Sequence, residues 1–229
     1  MNNLLARGGI EFLAVLLGIT GSLWVDDYRT SLLNQEKAVN TLKNLREELI
    51  DDREYSAWRT TSLMRDNEIL HSVINNWGKT KADSLVSLEF EGRNLMLRLT
   101  GYYAFHPPRT VYNSLRSDGS LALIPDNELK EKINHTFHEM PAHITEGAEN
   151  NQYLYRRFKD YLVENHPALL SPTLQGFEAE TERFLTDQVV LAYLFEQQGI
   201  RAFLLRIIDR HIKDLDELIE TIDTYLMEA

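Results

Sequence analysis

The chain has no cysteine, which excludes thiol nucleophiles, redox pairs, disulfides and thiolate metal sites together. Glycine and proline are scarce, at 11 and 6 of 229 residues. That is too few for the many turns of an all-β protein and suits long helices. Basic residues are also in deficit: 24 Lys and Arg face 35 Asp and Glu, a formal net charge of -11. This balance lacks the cationic footprint of a nucleic-acid binder, so no nucleic-acid partner is expected. No Gly-rich phosphate loop occurs, since Gly92 and Gly101 are isolated. Ser114, Ser117 and Ser120 surround Gly119 without forming a G-x-S-x-G elbow. With 43% hydrophobic and 26% charged residues, the chain is neither a disordered polymer nor a multi-span transporter.

The N-terminal region carries one apolar run. Residues 8–25 read GGIEFLAVLLGITGSLWV, about 18 residues and near the lower limit for a spanning helix. A cleaved signal peptide would want a basic segment ahead of the run, where only Arg7 stands, and its best small-x-small site is Thr20-Gly21-Ser22. A buried core helix is the other alternative, with Glu11 interrupting it. We read the run as an uncleaved membrane anchor, with Trp24 and Tyr28 at the far interface. Glu11, Ala14, Gly18, Gly21 and Ser22 recur at steps of three and four and share one stripe, while Leu13, Leu16, Leu17, Leu23 and Trp24 lie mostly elsewhere. Small residues on that stripe permit close helix approach in a bilayer, and a carboxylate there faces a partner more readily than lipid. The competing account has ordinary membrane-helix Gly and Ala, with Glu11 snorkelling to the headgroups. The stripe predicts a homo-oligomer with Glu11 at the subunit interface.

Beyond the anchor the pattern is helical. No Pro occurs before residue 107, and no Gly between Gly21 and Gly78. Residues 28–77 carry Leu32, Val39, Leu42, Leu45, Leu49, Leu63, Leu70 and Trp77, which predicts one long helix ended by Gly78. Shorter helices are expected over 83–164. The first is N-capped by Asp83 or Ser84, one lies around 111–116, and one starts at Pro125-Asp126 with Leu129, Ile133 and Phe137 on a single face. Pro141 should kink or split that last helix. Two C-terminal helices are expected over 177–227, separated at Gly199. The second carries Ile208, Ile212, Leu215, Ile219, Ile222 and Leu226 at four-three spacing, with Leu218 widening the stripe, and should pack on the long first helix.

Candidate chemistry is thin. His135, His138, Glu139 and His143 suggest a zinc-protease signature, but His138 and His143 are five apart with Pro141 between them. His135, His138 and Glu139 remain weak metal candidates, against the plainer account of surface histidines; no cofactor is expected. Tyr153, Tyr155, Arg156, Arg157 and Lys159 form the one basic-aromatic cluster, read as a solvated helix face.

Two stretches carry a resemblance. Glu11, then Gly18-Ile19, then Asp26-Asp27-Tyr28, is similar to the opening of a bacterial family of uncharacterised single-pass membrane proteins, a domain of unknown function. Its Glu-led apolar helix contains Gly-Ile and closes on Asn-Asn-Trp. The stretch Tyr112-x-Ser114-Leu115-x-Ser117-x-Gly119-x-Leu121-x-Leu123-Ile124-x-Asp126-x-x-Leu129 resembles the family's central block in order and spacing. The resemblance implies an anchor, a helical domain and no activity. It also implies an extracytoplasmic domain, because members carry a longer basic N-terminal tail. Here only Arg7 precedes the anchor while Arg29, Lys37 and Lys43 follow it, a count that by itself leans the other way.

The expected architecture is all-α: a transmembrane anchor over 1–27 continuing into a long juxtamembrane helix, packed with a helical bundle within 28–229. The expected protein is a non-enzymatic, self-associating sensor or scaffold of the bacterial inner membrane, with the lipid bilayer and its own copies as partners. The alternatives are an oligomeric channel or effector with Glu11 facing a central pathway, and a metal-dependent enzyme. Tyr112, Ser114, Leu115, Gly119 and Leu123 are expected to form a structural block, with Leu121, Leu123 and Ile124 buried between the first and last helices.

Overall fold

A computed structural model of the protein describes residues 2–79, 95–170 and 177–228, with side chains from 15, 98 and 179 onward in the three stretches. All regular structure among them is helical. Helix α1 is Asn2–Asn75, about 110 Å long at 1.5 Å per residue. With no proline and no interior glycine after Gly21, nothing interrupts its hydrogen-bond ladder. It ends where Gly78 takes a left-handed φ of 72°, Trp77 N–H donating to Ile74 O and Lys79 N–H to Asn76 O. Among the described residues, no helix is long and apolar enough to cross a membrane. The run 8–25 draws its first seven side chains from outside the described ones.

Five further α-helices precede the last: α2 Leu95–Thr100, α3 Thr110–Ser117, α4 Asn127–Asn134, α5 Met140–Asn165 and α6 Phe177–Phe184. Helix α7, Gln188–Glu228, closes the chain. It runs antiparallel to α1, as Arg46 pairs with Asp223 and Arg53 with Asp216, while Gln198 bonds His71 at the far end. Its buried positions are Val190, Leu194, Gln197, Arg201, Leu204, Ile208, His211, Leu215, Leu218 and Ile222, alternating steps of four and three without a break. Helix α1 answers with Ala38, Leu42, Leu45, Leu49, Asp52, Ser56, Leu63, Asp66, Leu70 and Val73. Helix α5 packs against α7 at Gly147, where a Cβ would come 2.8 Å from Leu204 and 3.0 Å from Phe203. A side chain at that position would force Leu204 and Phe203 to shift.

The apolar core is divided into three. One part gathers Leu42, Leu45 and Leu49 with Tyr112, Leu129, Phe137 and Leu218. The middle part holds Leu63, Phe105, Ile144, Leu204 and Ile208. The last unites Leu70, Leu99, Phe158, Phe184 and Leu194.

Several sequence expectations change. Gly199 does not separate two helices: α7 passes straight through it, and the break lies at residues 185–187. One exposed glycine costs a helix only about 1 kcal/mol, less than a continuous seam supplies. Pro141 does not split its helix either. A π-helical turn, His135–Glu139, joins α4 to α5 and leaves Pro141 near the start of α5, where its missing N–H matters least. The last helix's seam runs through His211 and Leu218 rather than Ile212, Ile219 and Leu226, which are half-buried at its flanks. Of the three apolar residues after Gly119, Ile124 is fully buried, while Leu121 and Leu123 are half-buried because they lie in a 3-10 turn, Ser120–Leu123, at the bundle's edge. The helix expected from Asp83 or Ser84 falls mainly on 80–94, outside the described residues; α2 is its described end.

Gly119 adopts φ 76°, a backbone costly for side-chain-bearing residues. Gly119→Val should therefore destabilise by about 1 kcal/mol or more. Gly199 has open space where a Cβ would stand, so Gly199→Ala should stabilise by roughly 0.5–1 kcal/mol. Urea unfolding midpoints of the two variants, moving in opposite directions, check both assignments.

Candidate functional site

A heptad seam is ordinarily apolar, so its polar positions mark places where something other than packing is specified. Two charged layers separate the three parts of the core.

In the first, Asp52 of α1 is fully buried. It accepts from Ser56 Oγ at 3.1 Å and Arg109 at 3.0 Å, and His211 Nε2 lies 3.2 Å away. One turn earlier, buried Glu48 accepts the amides of Val111 and Tyr112, each at 2.7 Å. These are orphan donors at the start of α3, which has no side-chain cap of its own. A carboxylate from a neighbouring helix thus meets the positive end of α3. Arg109 also donates to Phe137 O, four residues before Pro141. Pro141 has no N–H to offer that carbonyl. The proline and the arginine are complementary. Burial draws Arg109's pKa below its ordinary value, opposed by the charges of Asp52 and Glu48.

The second layer centres on Arg201 of α7, the largest fully buried side chain. Its guanidinium donates to Arg98 O at 2.6 Å, Gly101 O at 3.0 Å and Asp66 O at 3.2 Å. It thereby satisfies carbonyls at the C-terminal end of α2, where a cation also suits the helix dipole. Asp66 pairs with Arg98 at 2.8 Å and accepts from Tyr103. Gln197 reaches Gly101 O at 2.8 Å. Burial brings Arg201's pKa down to about 10, against the opposing charges of Asp66 and Tyr103.

A third cluster lies where α5, α6 and α7 meet. His166 is buried, with Nδ1 2.9 Å from Glu180 and Nε2 2.9 Å from Asp187. Tyr161 donates to Asp187 at 2.6 Å, and Asp187 Oδ1 accepts Val189 N–H as the cap of α7. Burial pushes Asp187's pKa up, but the bonds from Tyr161, His166 and the amides of Val189 and Val190 prevail and hold it below the usual range.

These arrangements organise helices, and Asp52, His211, Arg201 and His166 at their centres are all buried. Ser56 bonds Asp52 and not His211, so no nucleophile–base pair is formed there.

The residues expected from sequence fall as follows. Glu11 and Ala14 sit on α1 with side chains outside the described ones. Gly18, Gly21 and Ser22 are exposed on the same helix, and nothing lies within 4 Å of a Cβ built at either glycine. Tyr112 is buried and stacked on Phe137 at 4.7 Å, Leu115 is half-buried and Ser114 exposed. His135 Nδ1 lies 2.9 Å from Glu139, and its Nε2 lies 3.7 Å from Asp214. His138 is exposed, and among the described residues no group of three His, Asp or Glu is placed to hold a metal ion. Tyr153, Arg156, Arg157 and Lys159 are exposed on α5. Sequence reasoning passed over Glu48, Asp52, Asp66, Arg109, His166, Arg201 and His211. For Asp52, Asp66, Arg201 and His211 the usable signal was a polar residue where the four-three count demanded an apolar one.

With this geometry in view, the chain was compared with known proteins. No family model, no curated protein and no solved structure matches it.

Outcomes follow for the first charged layer and for the His166 cluster. Asp52→Ala leaves Arg109 and His211 facing one another without their shared anion, and should cost about 3–5 kcal/mol. Lys213→Ala, which removes an exposed pair with Asp209, should cost below about 0.5 kcal/mol; urea titration compares them. Asp187's depressed pKa makes its contribution full above the unfolded carboxyl value and lost as pH falls through the lower folded value. The Tm difference between the native chain and Asp187→Asn should therefore shrink steadily from about pH 5 to pH 2.

Proposed function

We propose that this chain is a single-pass membrane protein of the bacterial inner membrane, a non-enzymatic, self-associating helical sensor or scaffold. We place it in the Glu-led anchor family that its N-terminal and central blocks resemble. One observation carries the reading. Side chains 15–37 of α1 are exposed along their whole length, yet they include Leu17 and Trp24, each 70% exposed, with Val15, Leu16, Ile19, Leu23, Val25, Tyr28, Leu32 and Leu33. An uncovered apolar surface of this extent calls for lipid or another chain. Residues 2–37 amount to about 54 Å of helix ahead of Ala38, longer than a bilayer core of about 30 Å. The arm therefore has length for a span and a short stalk. Thr20 and Ser22 return their hydroxyls to Leu16 O and Ile19 O at 2.7 and 2.9 Å, so neither demands water, as lipid requires.

Self-association is placed on the stripe of Glu11, Ala14, Gly18, Gly21 and Ser22, where the missing side chains leave room for a second helix. The bundle is assigned to the extracytoplasmic side, following the family resemblance.

The protein should remain in the membrane fraction after carbonate washing; recovery as a soluble species defeats the anchor. Cysteine at position 18 should cross-link copies in native membranes more than cysteine at position 17, and Gly18→Leu should weaken assembly. Equal cross-linking at 17 and 18 returns Glu11 to the headgroups. Ion flux in liposomes would replace the scaffold with a channel.

A further inference from the structure

His166 follows the last turn of α5 and is 2% exposed. Its two ring nitrogens face two carboxylates from different elements, Glu180 of α6 and Asp187 in the turn that opens α7, each at 2.9 Å. An ionised carboxylate accepts hydrogen bonds and does not donate them, so for both contacts to be hydrogen bonds to ionised carboxylates the ring donates from both nitrogens. Imidazole does this only in its protonated form.

Among the described residues, the other ionisable groups around this ring are few. Helix α5 contributes Tyr161, α6 contributes Arg183, 3.2 Å from Glu180, and α7 contributes Tyr193, whose ring is 5.8 Å from Tyr161. Tyr161 is pushed up to about 12 by its bond to Asp187 and by burial, so it stays neutral at ordinary pH.

We propose that His166 is a proton-operated latch that fastens α6 to the end of α5 and the start of α7, closed with the ring doubly protonated. When one proton leaves, a bare ring nitrogen faces a carboxylate in a site screened from water, and one of the two bonds is lost. Asp187 keeps Tyr161 and the Val189 amide. Among the described residues, Glu180's other partner is Arg183 on its own helix, largely exposed. The bond to Glu180 is therefore the one that yields, and α6 loosens. Phe184, at the end of α6, packs edge-on to both His166 and Trp77, so the movement reaches a fluorophore. The latch belongs to the bundle and stands whether or not the arm enters a membrane.

The test uses the full chain with Trp24→Phe and Trp58→Phe, which leaves Trp77 as the single tryptophan. Raising pH from about 5.5 to 8.5, across the ordinary imidazole range, should move Trp77 emission reversibly to longer wavelength. Adding His166→Gln should remove that dependence. Constant emission across the range, or an unchanged shift in the His166→Gln chain, overturns the proposal. Nitrogen-15 shifts of the His166 ring at about pH 6 give a readout that needs no variant. Both nitrogens should be protonated, and a neutral ring overturns the latch.

Discussion

The antiparallel contact between α1 and α7 is the constraint on which the rest of the bundle depends. An apolar seam of this length would be tolerant of slippage, since leucine packs on leucine equally well one heptad away. The buried charges remove that tolerance. Asp52 meets His211, and Asp66 meets Arg201 through its carbonyl, so the register that satisfies one layer also satisfies the other. Each charge is expensive to bury alone, and any other alignment leaves several of them so. The layers add specificity to a seam whose stability comes from its leucines and isoleucines.

The same charges seat the short helices. Helix α3 has eight residues and α2 has six, lengths at which a helix has little stability of its own. Each is held by a long-helix side chain at a terminus: Glu48 takes the N-terminal amides of α3, and Arg201 takes the C-terminal carbonyls of α2. Arg109 links this scheme to the irregular part of the fold. One of its donors goes to Asp52 and another to Phe137 O, ahead of Pro141. The π-helical turn, the proline and the first charged layer are therefore one connected unit.

The helical architecture was legible because its signals are local. A proline-free N-terminal half, the left-handed glycines at 78 and 119, the Asp126 cap and the four-three stripe of the last helix are each written within a few residues. Asp126 does accept the Glu128 and Leu129 amides. What was not legible depends on distant pairs. His211 and Arg201 look like surface residues until α1 supplies Asp52 and Asp66, 159 and 135 positions earlier. The seam was therefore traced through Ile212 and Ile219, one step off its true path. Gly199 misled for the opposite reason: a local helix-breaking signal was outweighed by packing on either side of it. Glu48 gave no signal at all, because its role is to cap a helix more than sixty residues away.

Helix α1 is unbroken from the exposed arm to Asn75, and that continuity limits how the bundle can be driven. It behaves as a keyed shaft. Rotating it by one residue, about 100°, would swing Asp52 and Asp66 out of their layers. Sliding it by one heptad, about 10 Å, would set Asp52 against the apolar layers holding Leu204 or Leu218. Torsion and piston strokes are therefore both locked out. The motion this geometry leaves to α1 is a tilt of the whole rod, from the exposed arm past both charged layers to its end at Asn75.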